Sequence, residues 1–390
     1  TVDRDLPAVV TAPLATYRLQ LHPGFGFDAA AAVAGYLADL GVTHAYLSPV
    51  LQAAPGSTHG YDVVDHSRPS EALGGAAGHE RLVAALRAAG LGQVLDIVPN
   101  HMAITGPENR WWWDVLEHGQ SSPWAGHFDV TWDPPEEKLR NTVLMPILGD
   151  HYGRVLDRGE VTIERDGARF VVRYFDHVLP VAPRSLAGLL ADAAARAADD
   201  DLDYVARAYR RLPRVTRTDP AAVAEGHRDA HVLRRQLARL LDERPATSAA
   251  VDASLADLNA DVDALDALLD QQNHRIAYWR TAERELGYRR FFDIDTLIGL
   301  RVEDPEVFAD THELILLWVA EGVVDGLRVD HPDGLGDPEQ YADRLARATG
   351  GVWTVVEKIL AAGEELPSSW PVAGTTGYDR LNVIGGLCVD

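Results

Sequence analysis

Gln93-Val94-Leu95-Asp96-Ile97-Val98-Pro99-Asn100-His101 is the stretch on which the fold turns. Residues 93–98 read as a strand, because Val94, Leu95, Ile97 and Val98 are aliphatic or β-branched and Pro99 stops the run. Polar groups then crowd the end of that strand. Working outward, residues 16–21 and 43–48 read as two earlier strands, and 28–40 and 79–89 as helices stopped by Gly41 and Gly90. Strand–helix alternation of this kind implies βαβ units and a parallel sheet.

The rhythm breaks after the third strand. Residues 103–286 combine Trp-rich loops, a hairpin of 161–165 with 168–175 around Asp166-Gly167, and a helix over 185–197. Leu255, Leu258, Val262, Leu265 and Leu269 recur at helical spacing and read as one amphipathic helix with a packed face. Alternation returns near Phe291. Helices are expected over 305–320 and 338–348, strands over 324–329 and 352–356, and a sixth strand around 374–379. The expected class is α/β: a (β/α)8 TIM-type barrel with its C-terminal strands missing and a large, mostly helical insertion after the third strand. The expected divisions are 1–102, the first part of the barrel; 103–286, the inserted mixed subdomain; and 287–390, the barrel continued.

Composition narrows the function class. The 390 residues carry a net charge of −23, which repels phosphate backbones and argues against nucleic-acid or anionic-membrane binding. Lys138 and Lys358 are the only lysines among 36 basic residues, an Arg bias read as compositional. With Cys388 as the only cysteine, no intrachain disulfide forms. No apolar run approaches the roughly 20 residues that span a bilayer. Residues 1–5 lack the basic and apolar regions of a signal peptide. A cytoplasmic protein acting on an uncharged substrate is expected.

Barrel enzymes place their chemistry at the C-terminal ends of strands, and here those ends are loaded. Arg328-Val329-Asp330-His331 and Val355-Val356-Glu357-Lys358 close the fourth and fifth strands. Neighbouring strands lie about 4.8 Å apart. Carboxyls about 5–5.5 Å apart suit a retaining glycosidase pair, whereas inverting pairs stand roughly 6.5–9.5 Å apart. Asp330 is then the nucleophile and Glu357 the general acid/base. Arg328 shares a face with Asp330 by the period of two and is expected to hold it ionised at neutral pH. Each group alone also reads as a structural ion pair or a helix-terminal charge; three loaded strand ends together favour a site. Trp111-Trp112-Trp113 and Trp124 suit a sugar platform, although three consecutive tryptophans cannot all face one way. His59 and His66 flank Tyr61 as sugar contacts or loop residues. Asp96 and Asn100 read as braces of the strand end. No His/Cys cluster has metal-ligand spacing, and Leu73-Gly74-Gly75 lacks the spacing of a phosphate loop. No metal and no cofactor are expected.

Asp96-Ile97-Val98-Pro99-Asn100-His101, Gly326-Leu327-Arg328-Val329-Asp330 and Glu357 resemble the first three sequence regions of the α-amylase family of glycoside hydrolases. More narrowly, Thr16-Tyr17-Arg18-Leu19-Gln20-Leu21, His59-Gly60-Tyr61-Asp62, Tyr288-Arg289-Arg290-Phe291-Phe292-Asp293, Glu357-Lys358-Ile359-Leu360 and Gly374-Thr375-Thr376-Gly377-Tyr378-Asp379 resemble the maltooligosyltrehalose synthase branch. The resemblance implies an intramolecular transglucosylase that turns the reducing-end α-1,4 bond of a maltooligosaccharide into an α,α-1,1 bond by a retaining double displacement. It implies Asp330 and Glu357 as catalytic residues, and Tyr61, Asp62, His101, Arg328, His331 and Lys358 as substrate-binding. It also implies pairing with a trehalose-releasing hydrolase. The family's third carboxylate, an Asp following a His, has no match after Glu357, so a missing C-terminal segment or a second chain is expected to supply it. A plain α-glucan hydrolase and a non-catalytic glucan-binding fragment stay open as alternatives.

Overall fold

The computed structural model describes residues 12–389; the residues read for a leader, 1–5, lie outside them. The chain forms two compact units, one running up to Ala103 and resuming at Gly299, the other spanning Ile104–Ile298.

The first unit is built on six strands: β1 (Thr16–Leu19), β2 (His44–Leu47), β3 (Gly92–Ile97), β4 (Gly326–Val329), β5 (Trp353–Val356) and β6 (Gly374–Thr375). They stand side by side in this order and every pairing is parallel. A doubly wound sheet reverses its strand order at a switch point; this one does not. The parallel half-barrel of a TIM-type fold is the matching arrangement. The sixth strand is shorter than the sequence suggests, because the chain turns at Gly377 into the helix Tyr378–Gly386.

Register explains which side chains face which way. Leu47, Leu95 and Leu327 stand opposite one another on β2, β3 and β4, each fully buried. Burying a leucine side chain contributes about 1.5–3 kcal/mol, so this ladder fixes the pairing. A slip of one residue would turn it to the other face. The next residues along, Asp96 and Arg328, are also opposite one another and therefore face away from the leucines.

Helices flank the sheet. The expected helix over 28–40 is two, Phe27–Ala32 and Ala34–Leu40, interrupted at Val33, which leaves the helical conformation. Helix Pro305–Ala320 is stitched to helix Pro338–Thr349 by His312, whose Nε2 stands 2.8 Å from the Tyr341 hydroxyl and whose Nδ1 stands 3.0 Å from the Phe308 carbonyl. Burial pushes the His312 imidazole down to about 3, so it is a neutral structural group.

The second unit contains the antiparallel hairpin Val161–Asp166 with Arg169–Tyr174, which turns through Gly167 in the left-handed region. Beside it lie the helices Ala187–Ala197, Asp200–Arg211, Pro220–Glu243, Pro245–Ala260 and Val262–Leu269. The leucine stripe read as one helix belongs to the last two. Asp261 breaks it: its carboxylate accepts from the amides of Asp263 (3.0 Å) and Ala264 (3.1 Å), starting a new helix. Trp111, Trp112 and Trp113, expected in loops, lie on the helix Arg110–His118, while Trp124 stays in a turn; the helix is capped by Asn109, which accepts from the Trp112 amide at 3.0 Å. Trp112 is buried against Phe128 and Tyr288, while Trp111 stacks on Trp124 with ring centroids 4.7 Å apart. No helix among the described residues is long and apolar enough to cross a membrane.

Candidate active site

The C-terminal ends of β3, β4 and β5 gather three carboxylates around one guanidinium. Arg328 donates from one nitrogen to Asp96 (2.7 Å) and Asp330 (2.8 Å), and its other terminal nitrogen lies 2.9 Å from Glu357. The strand ladder sets this geometry. Asp330 donates its amide to the Ile97 carbonyl and Glu357 its amide to the Val329 carbonyl, both at 2.9 Å, so the two acids extend adjacent strands by one residue each.

Asp96 anchors the other side. Its second oxygen accepts from the hydroxyls of Tyr61 (2.7 Å) and Tyr46 (3.2 Å), with Arg18 3.7 Å away. Arg18 also donates to the Tyr61 hydroxyl at 2.7 Å and to Gln20 at 2.7 Å, and lies over the Tyr46 ring. Asp96 thus braces, as read from the sequence, and it is also the hub of the network. Arg18 and Tyr46 were not singled out as site residues. The alternation Arg18-Leu19-Gln20-Leu21 was the available signal, since it puts two polar side chains on one face of a strand.

The electrostatics follow from the count. Three acids meet two arginines, with Asp96, Arg328 and Asp330 buried and Arg18 and Glu357 partly open to solvent. Asp330 is pushed up to about 7, by burial above all; Arg328 pulls against this, and the neighbouring charges of Asp96 and Glu357 add to the rise. The expectation that Arg328 keeps Asp330 fully ionised is therefore corrected. One guanidinium is shared among three acids, which leaves Asp330 poised near neutrality. Its second oxygen, Oδ2, is buried with no hydrogen-bond partner within the protein. Burial, reinforced by Asp96, also raises Tyr61, so that phenol stays protonated and donates.

The other predicted residues occupy different places. His101 is buried and sits 3.2 Å from the Tyr61 carbonyl, holding the loop that carries Tyr61. Gly60 makes that loop possible. Its φ is +82°, and a side chain there would meet the Pro49 carbonyl at 2.5 Å. Asp62 points into its own loop, accepting from Ser57 and lying 3.8 Å from His59. His331 takes a left-handed conformation (φ 43°) rare for a non-glycine residue, and its amide donates to Glu357 at 3.2 Å. Lys358 is paired with Asp333 (3.1 Å) and Glu364 (3.0 Å), and their hydrogen bonds, that of Glu364 foremost, raise its pKa. His66 is buried within the strand Val63–Pro69, where burial pushes it down to about 4, a core position rather than an exposed loop. The network thus joins Tyr61, Arg328, Asp330 and Glu357; His101 and His331 adjoin it through backbone bonds, and Asp62 and Lys358 make their own pairs.

The family model of the α-amylase catalytic domain matches residues 34–153. A Mycobacterium tuberculosis protein provisionally named maltooligosyl trehalose synthase is 38% identical over 97% of this chain and 39% of its own length. The solved maltooligosyltrehalose synthase of Arthrobacter ramosus matches 97% of this chain and 39% of its own at 37% identity, with a TM-score of 0.70. The DSM5389 glycosyltrehalose synthase matches 97% and 41% at 34% identity, also with a TM-score of 0.70. The resemblance read from the motifs therefore extends along nearly the whole chain, which spans about two fifths of the length of these relatives.

Proposed function

We propose that this chain carries the nucleophile and the acid/base of an intramolecular transglucosylase acting on maltooligosaccharides, converting their reducing-end α-1,4 bond to an α,α-1,1 bond. The observation that carries the reading is one guanidinium holding Asp330 and Glu357 on adjacent strand ends. Glu357 protonates the glycosidic oxygen while Asp330 attacks the anomeric carbon, giving a glycosyl-enzyme. The freed glucose turns, Glu357 takes the proton from its anomeric hydroxyl, and that oxygen displaces Asp330. Two inversions retain the α configuration. Arg328 orients the nucleophile, and Tyr61, held by Asp96, contacts the sugar. Asp62, His101, His331 and Lys358 shape the surrounding sugar site, the last two through the loops they hold. The third carboxylate is assigned to protein beyond this chain, in keeping with the share of the relatives that it spans.

Residues 104–298 form, in this reading, an insertion between the third and fourth strands of the (β/α)8 barrel. The product keeps an α-1,4 bond next to its trehalose end, so a hydrolase specific for that bond is the partner that releases trehalose.

Maltopentaose tests the proposal. Loss of reducing ends without released glucose is expected from the protein complete with its third carboxylate. New reducing ends would indicate a hydrolase instead. The pH profile is a second check. With Asp330 at about 7, the nucleophile is lost as pH falls, so kcat/KM should decline on the acid side with a midpoint near 7. A midpoint near the ordinary carboxylate value of about 4 would refute the poised nucleophile.

A further inference from the structure

A second cluster of chemistry-bearing side chains lies wholly within the Ile104–Ile298 unit. Asp114 and His118 are one turn apart on the helix Arg110–His118, and His227 faces them from the helix Pro220–Glu243. One ligand atom from each lies within 4.8 Å of the others. His227 Nδ1 is 3.7 Å and His118 Nε2 4.0 Å from Asp114 Oδ2. A tetrahedral ion with bonds of about 2.0–2.1 Å sets its ligand atoms roughly 3.3 Å apart, so a small inward movement closes the set.

The outer contacts favour ligation over a hydrogen-bonded triad. His227 Nε2 stands 3.1 Å from the Ser121 carbonyl, so that nitrogen carries the proton and Nδ1 presents its lone pair to the cluster. Asp114 Oδ1 accepts from Ser122 at 2.5 Å, leaving Oδ2 directed at the histidines. Metal-binding histidines and carboxylates are oriented by such outer hydrogen bonds. The two imidazole rings approach to 4.1 Å between centroids. The charged neighbours are Glu117, 3.9 Å from His118, Arg234, which pairs with Glu117, and Arg169, whose charge also acts on Glu117. Both histidines line a cavity of about 420 Å³ that also includes Ser121, Thr216 and Asn273, which gives a fourth ligand or water room to enter.

We propose that Asp114, His118 and His227 form a site for a borderline divalent d-block cation, Zn²⁺ in kind, that clips the two helices together. Two imidazole nitrogens select such an ion over Mg²⁺ or Ca²⁺, which prefer all-oxygen sets. This inference is independent of the glucan chemistry.

Chelator-treated protein, titrated with Zn²⁺ by calorimetry and with Co²⁺ by visible absorption, tests it. One ion per chain is expected, with an intense four-coordinate Co²⁺ spectrum and a Zn²⁺-dependent rise in the thermal midpoint. The H118A/H227A double variant should lose all three, and Ser122→Ala should weaken binding by about 10-fold or more. Circular dichroism establishes whether the variants fold. If the double variant does not, the wild-type Co²⁺ spectrum and Ser122→Ala carry the test. No Zn²⁺ binding below millimolar, a weak six-coordinate Co²⁺ spectrum, or unchanged binding in folded variants would overturn the site.

Discussion

Arg328 touches Asp96, Asp330 and Glu357 at once, and no other side chain type can do so in that geometry. A planar guanidinium offers a rigid fork of donors; an ammonium is a single point. Arg328→Lys should therefore lower turnover by about 100-fold or more, through misplaced carboxylates rather than lost charge. Turnover within a few-fold of wild type would show that the fork is not needed. Asp330 makes a second prediction. Its pKa is raised from 3.8 to about 7, so it favours the fold fully only below its unfolded value, and that contribution is lost as pH rises toward and through 7. At about 1.4 kcal/mol per pKa unit the ceiling is on the order of 4 kcal/mol, with the opposing pull of Arg328 already contained in the shift. Asp330→Asn should be inactive, yet melt several degrees above wild type at pH 8. The gap should close toward pH 4. An equal or lower midpoint at pH 8 would sink the assignment.

At Asp199 one side chain joins two elements by capping one and bonding the other. Asp199 begins the helix Asp200–Arg211, accepting from the amides of Asp201 and Leu202 at 3.1 Å, and also takes bonds from Thr247 (2.6 Å) and Arg244 (2.7 Å) at the start of the helix Pro245–Ala260. An N-cap contributes about 1 kcal/mol, and the buried partners left unpaired add to that. Asp199→Ala should cost about 2–4 kcal/mol in urea denaturation at pH 7, against well under 1 for a cap alone replaced by glycine. Burial would raise this carboxyl, but Thr247, the Leu202 amide and Arg244 hold it below its ordinary value. The penalty should therefore shrink as pH falls below about 4. The strand ends were legible in the sequence because charged residues directly after β-branched runs are costly in a core. The Asp96–Arg328 contact was not, because 232 residues separate the pair and only the β3–β4 register brings them opposite. The break at Asp261 carried a capping signal that the regular leucine spacing on either side concealed. Asp114 and His118 are ligand-spaced only once residues 110–118 are a helix rather than a Trp-rich loop, and His227 lies too far along the chain for any spacing rule to reach.

The whole molecule sets its own constraint on ligands. Net charge is −23, and the positive groups of the candidate site are paired, Arg18 and Arg328 with Asp96, Asp330 and Glu357, and Lys358 with Asp333 and Glu364. Among the described residues the site leaves no unpaired cation to draw in an anion, and the net negative charge repels one. Electrostatic steering raises association rates only for a ligand that carries charge, and it fades as the Debye length shrinks to about 10 Å at 0.1 M salt. A maltooligosaccharide is uncharged, so its encounter rate has no such component. The buried Arg328 pairs are themselves poorly screened by salt. kcat/KM for maltopentaose should accordingly change by less than about twofold between low salt and roughly 0.5 M NaCl. A phosphorylated sugar would instead gain with added salt as the repulsion is screened. A steep fall with salt for the neutral substrate would mean that surface charge, rather than the strand-end network, governs binding, and the reading of an uncharged glucan as the ligand would have to be abandoned.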